Sequence, residues 1–97
     1  MDDLKLPSWL TENEDGSLTV SFKDMKRQPE IDGTKISSLS MREPTAGDEL
    51  AVEKINSDGE REIQLFANLC EQSPEGIRGL TMRQYNRIAD AYRFFLV

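Results

Sequence analysis

The sequence predicts an α+β domain in which an N-terminal β-hairpin packs against a small C-terminal array of three helices. Apolar residues alternate with polar ones through much of the chain before residue 41 and recur every three or four positions after residue 46. The two patterns meet within Leu39–Leu50, where Pro44 lacks a backbone N–H and biases Glu43 away from helical angles. A strand therefore ends in this segment, and a helix begins after it.

The charge of the chain argues against a nucleic-acid partner. Its 97 residues carry a net charge of −6. Binding to a phosphate backbone depends on lysine and arginine that displace counterions, and an acidic chain of this size is poorly suited to it. No apolar run reaches the roughly 20 residues that span a bilayer. We expect a cytoplasmic protein with no nucleic-acid or membrane partner.

The residues that catalysis or metal binding usually requires are scarce. The chain has no histidine and one cysteine, Cys70, so it offers neither a Cys–His pair nor a zinc ligand set. Cys70 falls on the apolar stripe of a predicted helix, which favours a buried side chain. The neighbouring acids Asp48 and Glu49 lie where carboxylates stabilise a helix N-terminus. We therefore expect no catalytic residue, no cofactor and no metal, and hence not an enzyme.

Residues 1–15 are predicted to form an N-terminal arm, and residues 16–97 a single α+β domain. The arm combines the apolar residues Trp9 and Leu10 with an acidic run that begins at Glu12. Three interpretations of the arm remain open. It folds back onto the edge of the domain, it stays available to attach to a partner, or it is disordered.

The hairpin is predicted at about residues 17–41. Alternating apolar residues over 18–22 are typical of a strand with one buried face. Asp32-Gly33 is a strong hairpin-turn dipeptide, and a second strand is expected over 34–41. An exposed edge of this hairpin also allows self-association.

Three helices are expected after the hairpin. Thr45 and Asp48 have the spacing of a capping box, and Thr81 and Gln84 repeat it. The middle helix has the widest apolar stripe and is expected at the centre of the fold. The predicted bounds are about 46–55, 60–71 and 82–96, with Ser73-Pro74 opening a short turn before the last helix.

The first of these helices is only weakly amphipathic. Leu50, Ala51 and Ile55 define a loose apolar stripe on a helical wheel, and Val52 lies off it. We expect this stripe, rather than Val52, to be the buried side.

The candidate partner-binding residues are apolar side chains that are expected on the surface. Phe94 projects from the polar side of the last helix on a helical wheel, and Val97 lies near it. Trp9 and Leu10 of the arm form a second apolar segment. Contiguous exposed apolar surface often marks an interaction site.

The segment between strand and helix resembles a motif of a known family. Residues 42–48 read Arg-Glu-Pro-Thr-Ala-Gly-Asp, with Ile31-Asp32-Gly33 before them and a Leu80-Thr81 helix start after them. This order resembles the tail assembly chaperone family of tailed phages, in the branch found in Mu-like prophages. The resemblance covers roughly residues 17–96, and Gln84 stands where that family tends to have Asp. The motif positions in this chain are Arg42, Glu43, Pro44, Thr45, Gly47 and Asp48.

The resemblance implies a non-enzymatic function in the host cytoplasm. Members of that family bind the long, helical tape measure protein, keep it soluble and help to recruit tail tube subunits around it. The resemblance therefore implies the tape measure protein and, beyond it, tail tube subunits as partners. We expect the motif residues mainly to stabilise the fold and only secondarily to contact a partner.

Two other functions fit a small acidic phage protein. One is binding to a host factor, which a dense stripe of carboxylates on one face would favour. The other is that of a minor structural tail subunit, which stable incorporation into particles would distinguish from a chaperone.

Overall fold

A computed structural model describes residues 5–97 of the chain. Within this range, five short strands precede four helices, which confirms the predicted α+β class. The strands are Leu10–Glu12 (β1), Leu18–Ser21 (β2), Glu30–Ile31 (β3), Thr34–Lys35 (β4) and Ser38–Met41 (β5). The helices are Ala46–Val52 (α1), Asp58–Cys70 (α2), Pro74–Arg78 (α3) and Met82–Phe94 (α4).

β1, β2 and β5 form an antiparallel sheet with β2 in the centre. Its register pairs Val20 with both Leu10 and Leu39, and Leu18 with Met41. Because side chains alternate between the two faces of a strand, these five residues share one face. Each is at most 5% exposed, so this face forms the sheet side of the core. The alternation predicted for β2 and β5 is confirmed.

The Asp32-Gly33 turn forms, but it closes a smaller hairpin than the one predicted. The two residues have φ of 53° and 79°, as a two-residue turn of type I′ requires. The ladder that they close contains β3 and β4 alone. At the next pair, the Ile36 N–H donates to the Pro29 carbonyl at 2.9 Å, but Pro29 has no N–H to return the bond. The single hairpin expected over 17–41 is therefore divided, and β2 pairs directly with β5.

Part of the segment expected as a separate arm is a strand of the sheet. β1 pairs with β2, and Leu10 is only 4% exposed. The turn that follows is fixed by Asn13, whose side-chain amide donates to Ser17 Oγ at 3.0 Å and to Thr19 Oγ1 at 2.9 Å. The strand contains one apolar residue, so its own sequence gives a weak signal and pairing with β2 supplies the stability. Residues 1–4 of the expected arm lie outside the described residues.

Each helix begins at a capping side chain. Thr45 and Thr81 head complete capping boxes, with Asp48 and Gln84 as their reciprocal partners, as predicted. Ser73 accepts a bond from the Gly76 N–H and caps α3, a helix of five residues. Residues 5–97 therefore form four helices, where the sequence predicted three helices and a short turn.

α2 lies at the centre of the fold, as its wide apolar stripe predicted. It contacts α1, α3 and β5. The ring of Phe66 lies between two aromatic rings of α4, with centroids 5.7 Å from Tyr85 and 5.4 Å from Tyr92. The buried residues of α2 are Leu65, Phe66, Ala67, Leu69 and Cys70.

The prediction of which side of α1 is buried was wrong. Val52 is 1% exposed, whereas Leu50 is 65% exposed and Ala51 is on the surface. α1 ends at Val52, so Ile55 lies beyond the helix and does not share its periodicity. The helical wheel was drawn over a predicted helix of about residues 46–55, whereas α1 ends at Val52. The apolar stripe assigned on that wheel was therefore wrong.

Candidate partner-binding surface

One carboxylate organises the segment that connects β5 with α1. Asp48 accepts two hydrogen bonds of 2.8 Å from the Arg42 guanidinium and a third of 2.8 Å from the Thr45 N–H. The Arg42 guanidinium, together with the Thr45 N–H, holds the pKa of Asp48 well below its usual range, because these donors favour the charged carboxylate. The segment is therefore cross-linked from the end of β5 to the first turn of α1.

The same segment is tied to the centre of the fold. The backbone N–H of Arg42 donates to the Leu69 carbonyl of α2 at 3.1 Å. Gly47, in contrast, has no steric reason to be glycine, because a Cβ there would meet only Thr45 Oγ1, at an ordinary 3.6 Å. The motif thus contains residues with clear structural contacts and at least one, Gly47, without them.

Three of the four candidate partner-binding residues meet in one open groove, here named the Trp9 groove. Trp9 immediately precedes β1, Phe94 is the last residue of α4, and Val97 follows α4. Trp9 and Phe94 are half-buried, and Val97 is 80% exposed. The groove has a volume of about 470 Å³. Its lining consists of Pro7, Trp9, Asp90, Arg93, Phe94 and Val97.

A fixed cation holds one side of this groove in place. The guanidinium carbon of Arg87 lies 5.1 Å from the centroid of the Trp9 ring, within the range of a cation–π contact. Arg87 itself donates to both carboxylate oxygens of Asp24, at 2.7 and 2.9 Å, and to the Ser21 carbonyl at 2.7 Å. The indole therefore packs against a side chain that three hydrogen bonds already position.

The prediction for Leu10 was wrong, and that for Phe94 needs correction. Leu10 is buried in the sheet, because alternation along the chain turns its side chain inward while the neighbouring Trp9 faces the groove. Phe94 was expected to project without cover from the polar side of its helix. It is half-buried and packs against the edge of the core, because the segment around Pro7 and Trp9 lies on that side of α4. Sequence periodicity within one helix carries no information about such a distant neighbour.

A second groove adjoins the first and shares Phe94 and Val97 with it. Glu43 of the motif lines this second groove, so the motif and the Trp9 groove belong to one continuous surface. An ion pair of 2.9 Å between Asp90 and Arg93 borders the Trp9 groove. An apolar centre with a charged border is the usual composition of a protein interface.

The one cysteine of the chain, Cys70, is buried in the core. Burial raises the pKa of the Cys70 thiol to about 12, so this sulfur stays protonated near neutral pH and is a poor nucleophile. Across residues 5–97, no cluster of three or more potential metal ligands occurs. Over the same residues, no helix has the length and apolar character needed to cross a membrane.

The fold and the groove define a small α+β protein whose distinctive surface is an apolar groove with a charged border. The family model described as "Phage tail assembly chaperone proteins, E, or 41 or 14" matches residues 24–97. This match spans most of the chain, and the chain therefore belongs to this family of phage tail assembly chaperones. Searches of curated proteins and of solved structures gave no match. Membership confirms the resemblance to phage tail assembly chaperones, and this family suggests a non-enzymatic protein that binds tail proteins.

The matched region contributes one wall of the Trp9 groove. Phe94 and Val97 lie within residues 24–97, whereas Pro7 and Trp9 precede the match. The groove is thus assembled from the family domain and from a segment outside the matched region.

Proposed function

We propose that the chain binds the tape measure protein of a phage tail, keeps it soluble in the host cytoplasm and assists the assembly of tail tube subunits around it. The observation that carries this proposal is the family match over residues 24–97. A tail assembly chaperone acts on tail proteins, and the motif at residues 42–48 resembles the branch whose members bind the tape measure protein. That protein is long and largely helical, so its apolar stripes need cover before assembly.

The Trp9 groove supports a helix as the bound element. Amphipathic helices dock through apolar side chains three or four positions apart, which enter a groove on the partner. The groove volume of about 470 Å³ lies within the usual range of about 300–1,000 Å³ for binding pockets. It has room for a few side chains from one face of a helix. Trp9 and Phe94 supply aromatic contact area, which contributes strongly at interfaces.

The charge of the chain supports the solubilising part of the proposal. The chain has a net charge of −6, and a complex that displays this charge resists association with other copies. A groove of this size also binds with moderate strength, because the ordering of both partners offsets much of the contact energy. The chaperone can then leave when tail tube subunits arrive.

Co-expression with the tape measure protein tests this proposal. The soluble fraction of the tape measure protein should rise when the chain is present, and the two should elute together from an affinity column. A Val97→Asp variant should lose this effect, because it places a charge in the groove at a position that is 80% exposed and not needed for folding. Leu50→Asp is the matched control, since Leu50 is also exposed, at 65%, and does not line the groove.

An insoluble tape measure protein in the presence of the folded chain contradicts the proposal. Recovery of the chain in purified phage tails would favour a structural subunit, and selective binding to a host protein would favour the host-factor function. Loss of solubility in both variants would show that the effect depends on net charge rather than on the groove.

A further inference from the structure

A basic surface lies beside the first two turns of α4, on a chain that is acidic as a whole. Two adjoining grooves meet there and share Met25, Lys26, Arg27 and Thr81. Their lining contains five cationic side chains and two carboxylates, a local excess of three positive charges against a net charge of −6 for the chain. The cations are Lys26, Arg27, Lys35, Arg83 and Arg87, and the carboxylates are Asp24 and Glu30. This set is named the basic surface.

Two arginines of the basic surface, Arg27 and Arg83, differ from the other arginines of the chain, since Arg87 pairs with Asp24. Every arginine outside it has a carboxylate partner within 4.0 Å, namely Arg42, Arg61, Arg78 and Arg93. Arg27 and Arg83 are exposed, and neither forms an ion pair with a carboxylate of the described residues. The same holds, within residues 5–97, for Lys26 and Lys35. Four cations without a carboxylate partner among residues 5–97 therefore lie together along the two grooves.

The backbone that carries two of these cations is fixed in place. Gln84 is 2% exposed, and its side-chain amide donates to the Arg27 carbonyl at 2.8 Å. At the start of the same loop, Arg87 holds the Ser21 carbonyl and the Asp24 carboxylate. α4 therefore anchors both ends of the loop that presents Lys26 and Arg27. A prepositioned charge binds a partner with less loss of conformational entropy.

Apolar side chains accompany the charges. Met82 is 69% exposed and lines one of the two grooves, and the half-buried Met25 lines both. Methionine is unbranched and adapts to irregular apolar surfaces, which is why it is common at protein-binding sites. A ligand that satisfies the whole surface carries several negative charges and apolar groups together, which describes a protein segment better than a free phosphate.

We infer that the basic surface is a second docking site, which binds an acidic amphipathic segment of a partner protein. The segment places aspartate or glutamate against Lys26, Arg27 and Arg83 and an apolar side chain against Met82. This site lies beside the N-terminal half of α4, whereas the Trp9 groove lies at the C-terminal end of α4, and Arg87 stands between the two. With both sites, the chaperone binds a partner at the Trp9 groove through apolar contacts. At the basic surface, charge complementarity determines which acidic segment binds.

Fluorescence anisotropy on the full chain tests this inference. The probe is a short fluorescein-labelled synthetic helix with glutamate at its polar positions and leucine at every third or fourth position. A Lys26→Glu/Arg83→Glu double variant should bind it about tenfold more weakly than the unmodified chain, the effect expected from replacing two surface attractions by repulsions. Lys5→Glu/Lys54→Glu is the control, because it makes the same change of net charge away from the basic surface.

The salt dependence of binding and a comparison with single-stranded DNA complete the test. Binding should weaken about tenfold or more between about 0.01 M and about 0.15 M salt, over which the screening length falls from about 30 to about 8 Å. Equal loss in both double variants would overturn the inference, since net charge alone would then explain the binding. Tighter binding of single-stranded DNA than of the acidic helix would overturn it as well. Val97→Asp should leave probe binding unchanged, so failure at the Trp9 groove and failure at the basic surface can be told apart.

Discussion

Replacing Asp48 by alanine should destabilise the protein by about 1.5–2 kcal/mol. The substitution removes the 2.8 Å bond from the Thr45 N–H, and loss of such a capping contact costs about 1 kcal/mol. It also removes both bonds from Arg42, whose side chain is 45% exposed, so the ion pair is valued at the surface figure of about 0.5–1 kcal/mol. Urea unfolding followed by circular dichroism measures the difference.

Asp90→Ala is the matched control for this prediction. Asp90 also pairs with an arginine, Arg93, but that pair lies on the exposed surface of α4 and caps no helix. Its loss should change the free energy of unfolding by less than about 0.5 kcal/mol. Equal effects of the two substitutions would refute the structural role assigned to the Arg42–Asp48 cross-link.

The contribution of Asp48 should also depend on pH in a defined direction. Its pKa is lowered in the folded protein, chiefly by the Arg42 guanidinium, so the unfolded chain binds the proton first as the pH falls. The stabilisation is therefore present above the unfolded carboxyl pKa of about 3.9 and declines as the pH falls through the lower, folded value. The stability gap between the unmodified chain and Asp48→Ala should narrow in acid, and a constant gap would contradict this assignment.

Three further predictions follow from burial and backbone geometry. Gly76→Ala should destabilise the protein by about 1–3 kcal/mol in urea unfolding, because its Cβ would lie 2.8 Å from Ile31 Cγ2; unchanged stability would refute this contact. Gly47→Ala should leave stability unchanged or raise it by up to about 0.5–1 kcal/mol, since the added methyl meets no close neighbour and alanine favours a helix. If that variant still binds tail proteins less well, Gly47 contacts a partner. Cys70 should react with a thiol reagent much more slowly in the folded protein than in urea, because its side chain is 5% exposed and burial raises its pKa to about 12.

Features encoded within a few neighbouring residues could be predicted from the sequence. The capping boxes at Thr45 and Thr81 and the turn at Asp32-Gly33 each depend on residues at most three positions apart. The apolar stripe of α2 is similarly local, and its periodicity placed the helix correctly at the centre. In these places, local preference and tertiary structure agree.

Features that depend on distant residues could not be predicted in the same way. β1 has a single apolar residue, Leu10, and becomes a strand because β2 is available to pair with it. Phe94 is half-buried because a segment more than 80 positions earlier reaches the same groove. The basic surface joins Arg27 to the neighbourhood of Gln84, which lies 57 positions away. Neither the periodicity of the sequence nor a sequence motif indicates these contacts between distant residues.

The intrinsic fluorescence of Trp9 tests the central claim most directly. Trp9 is the one tryptophan of the chain, and it lines the groove proposed to receive the tape measure protein. Titration with a tryptophan-free helical fragment of the tape measure protein should shift the emission to shorter wavelength and protect it from acrylamide, saturating at a defined stoichiometry. Leu50→Asp should respond in the same way, and Val97→Asp should not. Saturable binding that leaves both the emission and the quenching of Trp9 unchanged would contradict the account, because the partner would then occupy another surface.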